Sequence, residues 1–154
     1  MNKLSLLILL IIGIAATGCN TNNLVDVNSE MPKRNWSYVN TVKASANITD
    51  PAKPFMLYFK LRHTAEYRYS NIFVLLRIKD PHNKTQTKRY EFRLAQADGQ
   101  WLGSGSGNLF TYKFRLLSDY HFPKSGKYEF EIEQNMRDNP LKEVSDAGLT
   151  LAYQ

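Results

Sequence analysis

Phe55-Met56-Leu57-Tyr58-Phe59-Lys60-Leu61-Arg62 is the stretch whose pattern decides the fold. Phe55, Leu57, Phe59 and Leu61 fall on one side of a two-residue repeat, and Met56, Tyr58, Lys60 and Arg62 on the other. Successive side chains of a strand point to opposite faces, so this alternation marks a strand with one face in a core. The same pattern recurs along the chain. Tyr90, Phe92 and Leu94 alternate with Glu91 and Arg93, and Tyr112, Phe114 and Leu116 with Lys113 and Arg115. Tyr128, Phe130 and Ile132 alternate with Glu129, Glu131 and Glu133, and Leu149, Leu151 and Tyr153 close the chain in the same style. The run from Ile72 to Ile78 is apolar except for Arg77, which predicts a central strand covered on both faces.

Turn formers punctuate these segments at Asp50-Pro51, Asp80-Pro81, Asp98-Gly99, Pro123 and Gly126. No long segment carries a helical period. The best short helix candidate is Asn139 to Asp146, with Asn139 as cap, Pro140 at the first helical position, and Leu141 and Val144 three apart. Short strands separated by turns predict an all-β protein, an antiparallel β-sandwich of about seven or eight strands, with a barrel as the alternative closure.

The amino terminus belongs to a different class of sequence. Lys3 precedes an apolar run from Leu4 to Ile14, and Ala15-Ala16-Thr17-Gly18 leads to Cys19. A bilayer-spanning helix needs roughly 20 apolar residues, and this run is shorter, so residues 1–18 read as a signal peptide. Ala16-Thr17-Gly18-Cys19 resembles the lipobox of bacterial lipoproteins, which makes Cys19 the predicted lipidation site. Acylation also accounts for a single cysteine in an exported chain, since a lone thiol has no intramolecular disulfide partner. Asn20 stands where an Asp would favour inner-membrane retention in bacterial lipoproteins, so the expected location is the outer membrane, lipid-anchored and facing the periplasm. Residues 19–34 are rich in Asn, Ser and other polar residues and read as a flexible tether, which leaves residues 35–154 as one folded domain.

The formal net charge is +6, but the basic residues are scattered; Lys84 to Arg89, with Lys88-Arg89 adjacent, comes closest to a patch, and no basic stripe interleaves with aromatics. Nucleic acid is therefore not an expected partner. His63, His82 and His121 form no metal-ligand spacing; they read as loop or surface histidines, and no metal site or cofactor is expected beyond the covalent lipid. Gly103-Ser104-Gly105-Ser106-Gly107 leads into a strand rather than a helix, and neither serine has glycine at both second neighbours. It is thus neither a phosphate loop nor a nucleophile elbow. Glu129, Glu131 and Glu133 lie about 7 Å apart along one strand face, and a strand bearing Lys113 and Arg115 is a natural partner for them. No catalytic residues are assigned, and the chain is not expected to be an enzyme.

Tyr67, Tyr69 and Trp101 stand in turn-like sequence rather than in alternation. Aromatic side chains on loops either stack on sugar or a protein partner, or plug the end of a sandwich. The first possibility makes a glycan-binding envelope module the alternative function.

Three separated motifs carry a family resemblance. They are Tyr67-Arg68-Tyr69-Ser70-Asn71, Asp98-Gly99-Gln100-Trp101-Leu102-Gly103-Ser104-Gly105, and Glu133-Gln134-Asn135-Met136-Arg137, with Asp146-Ala147-Gly148-Leu149 near the end. In this order they resemble the GldH family, gliding motility lipoproteins of Bacteroidetes, from about Trp36 to Leu151. The chain departs from that family pattern at Lys88-Arg89 and at Leu141-Lys142-Glu143-Val144. The resemblance implies a non-enzymatic accessory or scaffold of the gliding motility and type IX secretion apparatus, with envelope proteins as partners. Tyr67, Tyr69, Asn71, Trp101, Gly103, Gly105, Gln134, Met136 and Arg137 are its candidate partner-binding or structural residues. Arg137 could clamp a carboxylate, and Gln134 can donate and accept.

Overall fold

The computed structural model describes residues 22–154; the signal peptide, Cys19 and the residues up to Thr21 lie outside the described part. Two antiparallel sheets face each other. The first has the order β1 (Asn23–Glu30), β11 (Val144–Tyr153), β4 (Phe55–Thr64), β8 (Leu109–Tyr120) and β7 (Ser104–Ser106). The second has the order β3 (Val42–Ile48), β9 (Gly126–Gln134), β5 (Asn71–Lys79) and β6 (Thr85–Arg93). A small ladder joins β2 (Asn35–Trp36) to β10 (Leu141–Lys142). The sheets are separate ladders, so the architecture is the sandwich and not the barrel.

The alternating residues fill the space between the sheets. Phe55, Leu57, Phe59 and Leu61 of β4 meet Tyr128, Phe130 and Ile132 of β9 and Ile72, Val74 and Leu76 of β5 in one buried core. Phe59 lies 6.1 Å from Trp36 and 6.0 Å from Phe92. Along the flank, Phe92 of β6 stacks on Phe114 of β8 at 4.3 Å, and the Tyr90 hydroxyl donates to the Leu116 carbonyl at 3.0 Å, tying the two sheets together.

Several expectations are corrected. Residues 23–30 are a strand and not part of a flexible tether: β1 pairs with β11 along its length, so the folded domain begins well before residue 35. Leu24, Val25 and Val27 pack against the core, while Asp26 and Asn28 face outward and hydrogen-bond across the sheet. Their polar composition concealed an edge strand. The segment Asn139 to Asp146 is not helical. Leu141 and Val144 both turn inward because Glu143 adopts a positive φ of 67° between them, resetting the strand face. β5 is central in its sheet, as expected, but alternates: Phe73, Leu75 and Arg77 are half-buried on its outer face. The Gly-Ser run contributes β7, and with β1 it raises the count above the seven or eight strands expected. The glutamates of β9 pair with β5 rather than with Lys113 and Arg115, through Arg77–Glu133 at 2.8 Å and Lys79–Glu129 at 3.3 Å.

The strand buried on both faces is β11. Its inner residues Ala147, Leu149 and Leu151 enter the core. Its outer residues lie beneath a polar roof. Asp146 accepts from Asn28 at 2.8 Å and from Arg62 at 2.6 Å, and the Asp26 carboxylate takes Lys60 at 2.5 Å and the Thr150 hydroxyl at 3.1 Å. Gly148 makes this roof possible, because a Cβ there would meet the Val27 carbonyl at 2.6 Å and the Lys60 stem at 2.7 Å. Backbone cannot yield as a flexible side chain can. Gly148→Ala is therefore expected to lower the unfolding free energy by about 1–3 kcal/mol, while Ser45→Ala on the exposed face of β3 stays within about 0.5 kcal/mol. Urea denaturation of both variants checks this.

Candidate functional site

At one end of the sandwich β4 stops at Thr64, β6 at Arg93 and β9 at Gln134, and the segments that follow converge. At the centre of this end is His63, fully buried at 0% exposure. It continues the inward series of β4, and its ring is boxed by aromatic rings: Trp101 at 4.5 Å edge-on, Tyr67 at 4.8 Å and Tyr112 at 5.3 Å stacked, and Phe110 at 5.9 Å. The expectation of a loop or surface histidine is overturned at this position; His82 and His121 are exposed.

The hydrogen bonds set the state of the ring. Nδ1 lies 2.8 Å from the Thr64 carbonyl and so carries the proton. Nε2 faces the Tyr112 hydroxyl at 3.3 Å, and that hydroxyl donates to the Leu94 carbonyl at 2.7 Å. Burial removes water from the imidazolium, which lowers the His63 pKa from 6.5. Burial likewise raises the phenol pKa values of Tyr67 and Tyr112.

The sequence motifs build this end. Tyr67 is buried and its hydroxyl donates to the Asn71 carbonyl at 3.1 Å. Trp101 is half-buried, held by the bridge between Ala95 and Trp101. Gly103 lets the Tyr112 ring lie against the backbone: a Cβ would stand 2.6 Å from that ring and 2.9 Å from the Thr111 carbonyl. Gly105 sits in β7 beside Phe110, where a Cβ would find ordinary to tight space at 3.4 Å. The third motif closes the opposite side. Gln134, buried at 0%, donates to the carbonyls of Asp138 at 3.0 Å and Trp36 at 3.4 Å, and accepts from the Met136 N–H at 2.8 Å. The Met136 sulfur takes the Phe73 N–H at 3.2 Å, and its carbonyl takes the Tyr38 hydroxyl at 2.6 Å. Tyr69 joins the first motif to the third by donating to Asp138 at 2.7 Å, a bond that raises the pKa of its phenol.

The side chains of two of the singled-out residues stand apart from this network. Asn71 holds Glu91 at 2.7 Å on the surface, and Arg137 is exposed. The aromatic faces of Tyr67 are taken up by His63 and its neighbours, so Tyr67 presents no free face to a sugar. Among the described residues no cluster of three potential metal ligands forms. Sequence reasoning passed over His63, Tyr112 and Asp138, the residues on which the motifs meet.

Residues 23–151 match the model of the GldH lipoprotein family, a span that includes the three motifs built into this end. The chain belongs to the GldH lipoprotein family. Membership makes it a membrane-anchored lipoprotein. It is similar to the gliding motility lipoprotein GldH homolog of Christiangramia forsetii, with 30% identity over 123 residues, 75% of this chain and 76% of that one. It is also similar to the gliding motility lipoprotein GldH of Flavobacterium johnsoniae, with 24% identity over 151 residues, 94% of this chain and 93% of that one. Among solved structures it is similar to a carbohydrate-binding module specific for non-crystalline cellulose, at a TM-score of 0.45 and 10% identity, covering 90% of this chain and 78% of that one. A likeness at that level carries no ligand over to the GldH chain.

The buried histidine gives this GldH domain a pH-dependent stability of known sign. With the folded pKa below 6.5, His63 contributes fully above the unfolded value, and stability is lost as pH falls from there through the folded pKa. Unfolding free energy is expected to drop below about pH 6.5 with a slope of up to about 1.4 kcal/mol per pH unit. Denaturation curves of His63→Gln should lack that segment of the profile; an unchanged slope would refute the assignment.

Proposed function

We propose that this chain is an outer-membrane lipoprotein facing the periplasm that serves as a non-enzymatic accessory or scaffold of the gliding motility and type IX secretion apparatus. The carrying observation is that the family motifs are spent on building one rigid end of the sandwich. That end also bears the exposed large hydrophobic residues found among the described residues, Val39 at 85% and Leu102 at 50% exposure. Val39 adjoins Tyr38, which is tied to Met136 and to Asn139, and Leu102 adjoins Trp101. Exposed apolar side chains on a closely bonded platform, with Arg137 exposed on the loop that follows β9, suit a protein contact.

The three glutamates along β9 are paired. Glu133 and Glu131 face Arg77, and Glu129 is shared by Lys79 and Lys127. The relatives' description as gliding motility lipoproteins supports the assembly, and Asn20 after the lipidation site supports the outer-membrane assignment.

Deletion of the gene is expected to impair secretion or surface motility, with rescue by the wild-type chain and not by Cys19→Ala. A deletion strain that secretes and moves normally would sink the proposal. In an affinity capture from the native envelope, Leu102→Asp combined with Val39→Asp should lose protein partners that the wild type retains, without loss of folding.

A further inference from the structure

The strand β1 changes the geometry of the anchor. Asn22 is already bonded into the fold, its carbonyl accepting the Tyr153 N–H at 3.1 Å, and only Asn20 and Thr21 stand between it and Cys19. A fully extended chain advances at most about 3.6 Å per residue, so Asn22 lies within about 11 Å of the Cys19 backbone. That is little more than the thickness of one headgroup layer, about 5–8 Å. A domain held so closely by its lipid cannot stand off the bilayer.

Antiparallel pairing fixes which end is held. Asn23 pairs with Ala152, Tyr153 with Phe55, and Phe55 with Tyr120, while the Gln154 N–H donates to Pro54. Loop 49–54, loop 121–125 and turn 80–84 therefore share the anchored end, the last because Pro81 lies against Gly126. The His63 end is at the far terminus of β4, whose 10 residues extend about 30 Å.

We propose that the end formed by loops 49–54, 80–84 and 121–125 is a bilayer-contact surface resting on phospholipid headgroups, which points the motif end away from the membrane. The chemistry of the surface fits. Lys53, Lys84 and Lys124 are exposed there, and Lys53 lies over the Tyr153 ring at 5.2 Å, an amphipathic pairing suited to a water–lipid boundary. Asp50 and Asp80 turn a carboxylate oxygen onto N–H groups of their own turns, those of Ala52 and of His82 and Lys84. The anionic phosphates of the leaflet are the complementary partner.

The inference rests on acylation of Cys19, and its test separates the two. The acylated full chain is isolated with a single added cysteine, Lys53→Cys, Lys124→Cys, Leu102→Cys or Arg137→Cys. Each is spin-labelled in vesicles of phosphatidylethanolamine and phosphatidylglycerol that contain a nickel-chelating lipid. Labels at positions 53 and 124 are expected to relax at least about tenfold more than those at 102 and 137, given the roughly 30 Å between the ends. Equal enhancement at both ends, or the reverse order, in a chain shown by mass spectrometry to be acylated overturns this inference alone. An unmodified Cys19 in the mature native protein overturns it together with the lipid anchor.

Discussion

Everything in this fold hangs on the last strand. β11 stands between β1 and β4, with its inner side chains in the core and its outer ones under the Asp26–Lys60 and Asn28–Asp146–Arg62 contacts. A strand so placed can carry bulk on one face only. Its outer positions are accordingly Asp146, Gly148, Thr150 and Ala152, small or able to bond with their neighbours. The charges above it are each paired, which keeps their desolvation tolerable while they cover the sheet. From that strand the first sheet extends to both sides, and the second sheet packs on the face it completes.

The two ends of the sandwich differ in construction. One is closed by an aromatic box around a neutral histidine and by a buried glutamine that bonds the carbonyls of Trp36 in β2 and of Asp138. Both are arrangements in which buried polar groups have partners, and no buried side-chain polar atom among the described residues is left without one. Such an end is stiff because shifting any member would strand another. The other end is plugged by Phe122, packed on Phe55 and Tyr128, beneath exposed lysine-bearing turns, with the backbone at Asn22 and Gln154 beside them.

The sandwich was legible in the sequence because its inner faces are large and regular, as in Phe55 to Leu61 and Tyr128 to Ile132. What escaped was where polarity and burial part company. β1 looked like a tether because half of its residues face the roof over β11, and only Leu24, Val25 and Val27 betray it. His63 was legible in principle: it is the next inward position after Leu61, and the alternation alone predicts its burial. Histidine's polarity masked the register. The convergence of Tyr67, Trp101 and Gln134 on one end is tertiary information, since no local spacing reveals that Tyr69 will reach Asp138 across the sequence. The reversal at Glu143 also lay beyond pattern reading, because one left-handed residue defeats any fixed period.

The position of β11 also sets an order of events. The five-stranded sheet has no continuous ladder from β1 to β4 until the final 10-residue strand is in place. β1 comes first along the described residues and forms its ladder with β11 alone, so it has no strand partner until residues 144–153 are in place. β4, β8 and β7 pair among themselves, so what waits for β11 is the joining of β1 to the rest of the sheet.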